Sequence, residues 1–78
     1  MTIGERVKWL RKQRGLTQAE LAQFSGLSRT GLGDIERGKR VPKYDTLLKL
    51  SRGLGISVAL LFGEEATISA PGGEATGE

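Results

Sequence analysis

Along the first sixty positions, apolar residues recur with the spacing of helices rather than strands. Ile3, Val7 and Leu10 fall at i, i+4 and i+7, one face of a helix over about residues 2–14, with Gly15 as a C-terminal stop. Thr17 followed three residues later by Glu20 is a capping box. It predicts a second helix over residues 18–24 that buries Leu21, Ala22 and Phe24. Ser25-Gly26-Leu27 reads as a turn in which Gly26 takes a positive φ. Ser28 caps a third helix ending near Arg37-Gly38, with Leu32 and Ile35 inward. Val41-Pro42 forces an extended break. A fourth helix follows over residues 43–54, with Leu47, Leu50 and Leu54 inward and Gly55 at its end. Ser57 is expected to cap a last short helix, residues 58–62. The predicted fold class is all-α, with five helices.

The chain has 78 residues, enough for one small domain with a limited core. From Glu64 to Glu78 the composition turns to Gly, Ala, Thr, Glu and Pro without periodicity. Residues 1–63 are therefore expected to form the domain, and residues 64–78 a disordered acidic tail. No internal repeat is visible. There is no cysteine and no histidine, so no disulfide is possible and no cofactor or metal centre is expected. The N-terminus MTIGERVKWLRKQRG is charged and lacks the apolar core of a signal peptide. No apolar run is long enough to span a bilayer. The expected location is cytoplasmic, with no membrane partner.

Charge is distributed unevenly along the chain. All twelve basic residues lie between Arg6 and Arg52, whereas Glu64, Glu65, Glu74 and Glu78 are four of the nine acids. Residues 1–63 thus carry +7 and the tail −4. A body at +7 suits a polyanion, and equally a well-solvated surface. Enzyme chemistry finds little to work with: no histidine or cysteine, no phosphate loop, no pair of carboxylates marking a cleft. Gly31-Leu32-Gly33 is not a nucleotide motif, because no strand precedes it. More specific is the spacing within the second and third helices. Counting from Gln18, small Ala22 is fifth, Gly26 ninth, Leu32 fifteenth and Ile35 eighteenth. Ala22 lets the two helices cross closely and Gly26 makes the turn between them. Leu32 and Ile35 lock the third helix, leaving its other face to enter a major groove.

The stretch TQAELAQFSGLSRTGLGDIERGKRVP, with IGERVKWLRKQRGLT before it and TLLKLSRGLGIS after it, resembles the Cro/lambda-repressor type of helix-turn-helix, the xenobiotic-response-element family. The resemblance covers about residues 3–62. It implies a five-helix lambda-repressor-like domain and a sequence-specific transcriptional regulator, a repressor. Such a protein binds double-stranded DNA at an inverted repeat as a homodimer, through its third helix. By this resemblance Gln18 and its helix N-terminus hold a phosphate. Ser28, Arg29 and Thr30 open the reading helix, and Thr30, Gly33, Asp34 and Arg37 fall opposite Leu32 and Ile35. Arg29 would meet guanine, Thr30 a thymine methyl or a phosphate, and Asp34 a cytosine amino group. Arg37, Lys39, Arg40 and Lys43 would grip phosphates. Arg11 and Glu36 match a structural ion pair that ties the first helix to the third.

Several positions depart from the family pattern. Gly31 and Gly33 weaken a reading helix, each by about 1 kcal/mol of propensity relative to alanine. Gly33 either lets backbone approach DNA or marks a place where no side chain is selected. Lys43 stands where a small cap is usual, as a phosphate contact or as ordinary surface variation. Trp9 and Leu60 are apolar where the family is polar. With Val58, Leu61 and Phe62 they suggest a homodimer surface on the first and last helices. The setting stays open among a phage-type repressor, a restriction–modification controller and an antitoxin with a toxin partner. A protein-interaction adaptor of the same fold is the alternative class. The tail could serve a toxin partner or shield the basic face.

Overall fold

The computed structural model describes residues 1–62, which form five α-helices: α1 Ile3–Gln13, α2 Gln18–Ser25, α3 Arg29–Glu36, α4 Tyr44–Leu54 and α5 Val58–Leu61. No strand occurs among the described residues. The division between a domain and an acidic tail at residue 64 lies outside them.

Local chemistry sets the helix ends. Thr2 and Thr17 each accept the N–H of the glutamate three residues on, at 3.1 Å. Glu5 and Glu20 accept the threonine N–H groups in return, at 2.8 and 2.9 Å. Both are complete capping boxes. The one at Thr2 follows the same T-x-x-E pattern as the one at Thr17. Ser28 accepts the Gly31 N–H at 2.9 Å and caps α3. Ser57 occupies the cap position of α5, but its side chain makes no cap hydrogen bond, and neither does that of Lys43 at α4. Gly26, at φ 70°, reverses the chain out of α2, so that the Leu27 N–H reaches the Ala22 carbonyl at 2.8 Å.

Val7, Leu21, Ala22, Leu32, Ile35, Leu47, Leu50, Leu54 and Leu61 form one buried core. Ile3, Leu10, Leu16, Leu27, Ile56 and Val58 pack around it half-buried. α2 lies mainly on α4 and also on α3, α1 on α3, and α5 on α4 and α1. Two close approaches depend on glycine. A Cβ at Gly4 would collide with the Ile35 carbonyl oxygen, and one at Gly53 with the Ser25 hydroxyl. The first brings α1 against the end of α3; the second brings α4 against α2.

Two apolar side chains lie elsewhere than the sequence predicts. Phe24 is 60% exposed, and Ser25 takes the inward position at the end of α2. At about 100° per residue, Phe24 lies about 110° round the helix from the midpoint of Leu21 and Ala22, whereas Ser25 lies close to that midpoint and fits the narrow space beside Gly53. Leu61, expected on a dimer surface, is fully buried in the core. The four-residue α5 has room for one inward side chain, and Leu61 is the one packed under α4 and α1.

Candidate nucleic-acid interface

The third helix has two unlike sides. Leu32 and Ile35 face the core, and Glu36 is also buried. The Glu36 carboxylate accepts from Arg11 Nε at 2.8 Å and from Arg11 Nη2 at 3.1 Å, a two-pronged pair spanning α1 and α3. Arg11 Nη1 also donates to the Leu16 carbonyl oxygen at 2.8 Å. Gln18 Nε2, at the start of α2, donates to Glu36 Oε1 at 3.0 Å. One carboxylate thus joins three helices, and Gln18 is held by the structural pair expected of Arg11 and Glu36. Gln18 still has a second amide N–H. The capping box also leaves the backbone N–H groups of Gln18 and Ala19 at the open end of α2.

On the outer side of α3, Gln18, Arg29, Thr30, Gly33 and Arg37 line one shallow cavity of about 200 Å³. Arg29, Thr30 and Arg37 are exposed. Arg37 folds back along the helix and Nη2 donates to Asp34 Oδ1 at 2.7 Å. Its Nη1 lies 3.2 Å from where a Cβ on Gly33 would stand. Gly33, expected as an open groove-facing position, is instead buried beneath this guanidinium. The absent side chain is filled by a neighbour four residues on, the distance at which helical side chains overlie one another.

A second cavity, of about 280 Å³, lies where α3, the loop after it and α4 meet. Leu27, Ile35, Val41 and Pro42 give it apolar walls, and Ser28, Arg40, Lys43 and Thr46 give it polar ones. Gly31 sits under the Ser28 hydroxyl, with Arg40 Nη1 3.5 Å from its would-be Cβ. Nine of the ten residues expected at the interface therefore gather on or beside the outer side of α3. Lys39 is exposed in the adjoining turn and lines neither cavity.

This arrangement of a capped helix, a glycine turn and a second helix offering a cationic outer side is matched by known proteins. The helix-turn-helix family profile covers residues 7–61. The chain belongs to the helix-turn-helix family. It is 47% identical over 68 residues to the immunity repressor protein of Bacillus phage phi105, across 87% of this chain and 47% of that protein. The chain thus spans about half the length of that relative. Among solved structures, it is similar to the restriction–modification controller protein C.AhdI from Aeromonas hydrophila. The TM-score is 0.75 at 42% identity, over 77% of this chain and 91% of that one. It is also similar to the biofilm master regulator SinR, solved in complex with DNA. Here the TM-score is 0.74 at 37% identity, over 78% of this chain and 98% of that one. The fold and family are those of a DNA-binding regulator, not of an enzyme.

The expected dimer surface divides in the structure. Trp9 is 49% and Phe62 50% exposed, and Val58 and Leu60 are half-buried. Arg6 Nε donates to the Leu60 carbonyl oxygen at 2.7 Å and holds α5 against α1. No described helix is long and apolar enough to cross a membrane.

Proposed function

We propose that this chain is the DNA-binding module of a transcriptional repressor acting in the cytoplasm. It binds an inverted-repeat operator as a homodimer and places α3 of each protomer in successive major grooves, about 34 Å apart. One observation carries the reading: the side of α3 opposite Leu32 and Ile35 gathers Arg29, Thr30 and Arg37 around one cavity, with Gln18 fixed at its edge. The kinship with a phage immunity repressor supports repression, and the likeness to a regulator solved with DNA supports the ligand. Arg29 and Thr30 meet base edges, while Arg40, Lys43 and Lys39 bind phosphates and fix the register. The dimer forms through the exposed rings of Trp9 and Phe62 with Val58 and Leu60 beside them.

Selection of sites from a random duplex pool, followed by a salt titration on the enriched site, tests this. An inverted repeat is expected, with affinity falling steeply with salt. Absence of any enriched motif would refute specific recognition. Sedimentation of a Trp9→Gln, Phe62→Gln double variant tests the interface: monomer mass is expected, and an unchanged dimer would place the interface elsewhere.

A further inference from the structure

Arg37 lies against two neighbours at once on the candidate interface. Gly33 leaves the space its guanidinium fills, and Asp34 accepts from its Nη2 at 2.7 Å. Its group lies in the same cavity as Arg29 and Thr30 and is absent from the cavity lined by Arg40 and Lys43. A phosphate-gripping arginine profits from reach and full charge. Arg37 has given up reach by folding back over the helix. Its charge is balanced by Asp34, and a carboxylate beside it repels a phosphate. A guanine edge makes different demands: two donors held in a fixed plane, with little rotamer freedom left to lose. Asp34 takes one of the five guanidinium donors, and the second Nη2 hydrogen with the N–H beside it still forms a two-donor fork for a base.

We infer that Arg37, seated in the space left by Gly33 and tethered by Asp34, reads a guanine edge in the operator instead of gripping a phosphate. The inference rests on the DNA-binding reading above. Gly33 and Asp34 become positioning residues for that contact, and Asp34 acts through Arg37. The glycine then favours this seat, since a Cβ at residue 33 would stand 3.2 Å from Nη1 and push the guanidinium a few tenths of an ångström off it.

The test is site selection in parallel on the wild-type chain and on Arg37→Lys, with salt titrations of each on the wild-type operator. Lysine keeps the charge and loses the planar fork. Arg37→Lys is expected to abolish the preference for guanine at one position of each half-site. Affinity for the wild-type operator falls about ten- to a hundredfold, and the salt slope is nearly unchanged. Gly33→Ser retains Arg37 but displaces it, and is expected to blunt the same guanine preference while leaving the helix content intact. Asp34→Asn is expected to blunt it too, while tightening binding to random DNA. An Arg37→Lys variant that enriches the wild-type motif at every position would overturn the inference and leave the DNA-binding reading standing. A wild-type chain that enriches nothing would overturn both.

Discussion

Helix α3 carries two arginine–carboxylate pairs of nearly equal length. Glu36 meets Arg11 at 2.8 Å and Asp34 meets Arg37 at 2.7 Å. The carboxylates are two residues apart and so on different sides of the helix. In the first pair the side chains are 10% and 2% exposed, arginine first; in the second they are 56% and 34% exposed. Equal distances therefore describe unequal interactions. The inner pair is cut off from water, and its charges depend on each other and on the Gln18 amide and the Leu16 carbonyl. The outer pair is solvated, contributes little to stability, and remains available to an incoming ligand. One side of the helix thus holds the fold, and the other is the side proposed to meet DNA.

The largest break in this contrast comes from Glu36→Ala. Leaving Arg11 buried without its partner is expected to cost about 3–5 kcal/mol, read from urea unfolding. For a domain of marginal stability, that is a large part of the total. Replacing both partners, Arg11→Met with Glu36→Leu, is expected to recover most of the loss, because no buried charge is left alone. A double variant as unstable as the single one would show that the pair contributes shape, not charge balance.

Next in size is Gly53→Ala, which adds one methyl where α4 meets Ser25 and Leu21 of α2. Destabilisation of about 1–3 kcal/mol is expected from forced separation of the helices. A neutral result would mean that α2 and α4 slide apart without loss. Ser28→Ala removes the cap of α3 and is expected to cost about 1 kcal/mol, by the same unfolding measurement. The smallest effect falls on the outer pair: Asp34→Ala is expected to change stability by less than about 0.5 kcal/mol. A cost equal to that of Glu36→Ala would erase the distinction between the two pairs.

Much of this was legible in the sequence because the signals were local. The Thr17–Glu20 box, the glycine turn at Gly26, the cap at Ser28 and the 3.6-residue spacing of Leu47, Leu50 and Leu54 each depend on residues within one or two turns. The Thr2–Glu5 box is a local signal of the same kind. What stayed hidden depends on which elements meet. Phe24 looks like a core residue until the partners of α2 are known, and then Ser25 proves to be the inward one. Leu61 and Phe62 are adjacent and both apolar, and only the docking of α5 on α1 and α4 decides which is buried. Gly4 and Gly53 are needed by the backbone or hydroxyl of a distant segment. Ser57 has the residue type of a cap without the hydrogen bond. Among the candidate interface residues, the sequence placed Thr30, Gly33, Asp34 and Arg37 on one side of the third helix and Arg29 on its flank. It did not show that Gly33 makes room for Arg37, nor that Glu36 fixes Gln18.

The most direct measurement is a titration of the isotopically labelled protein with its selected duplex, following backbone amide shifts residue by residue. The largest shifts are expected at Gln18 and from Ser28 to Arg37, with Lys39, Arg40 and Lys43 close behind and the Leu50–Leu54 segment of α4 nearly still. Shifts concentrated around Trp9 and α5, with α3 unmoved, would contradict the claim that the outer side of α3 is the surface that meets DNA.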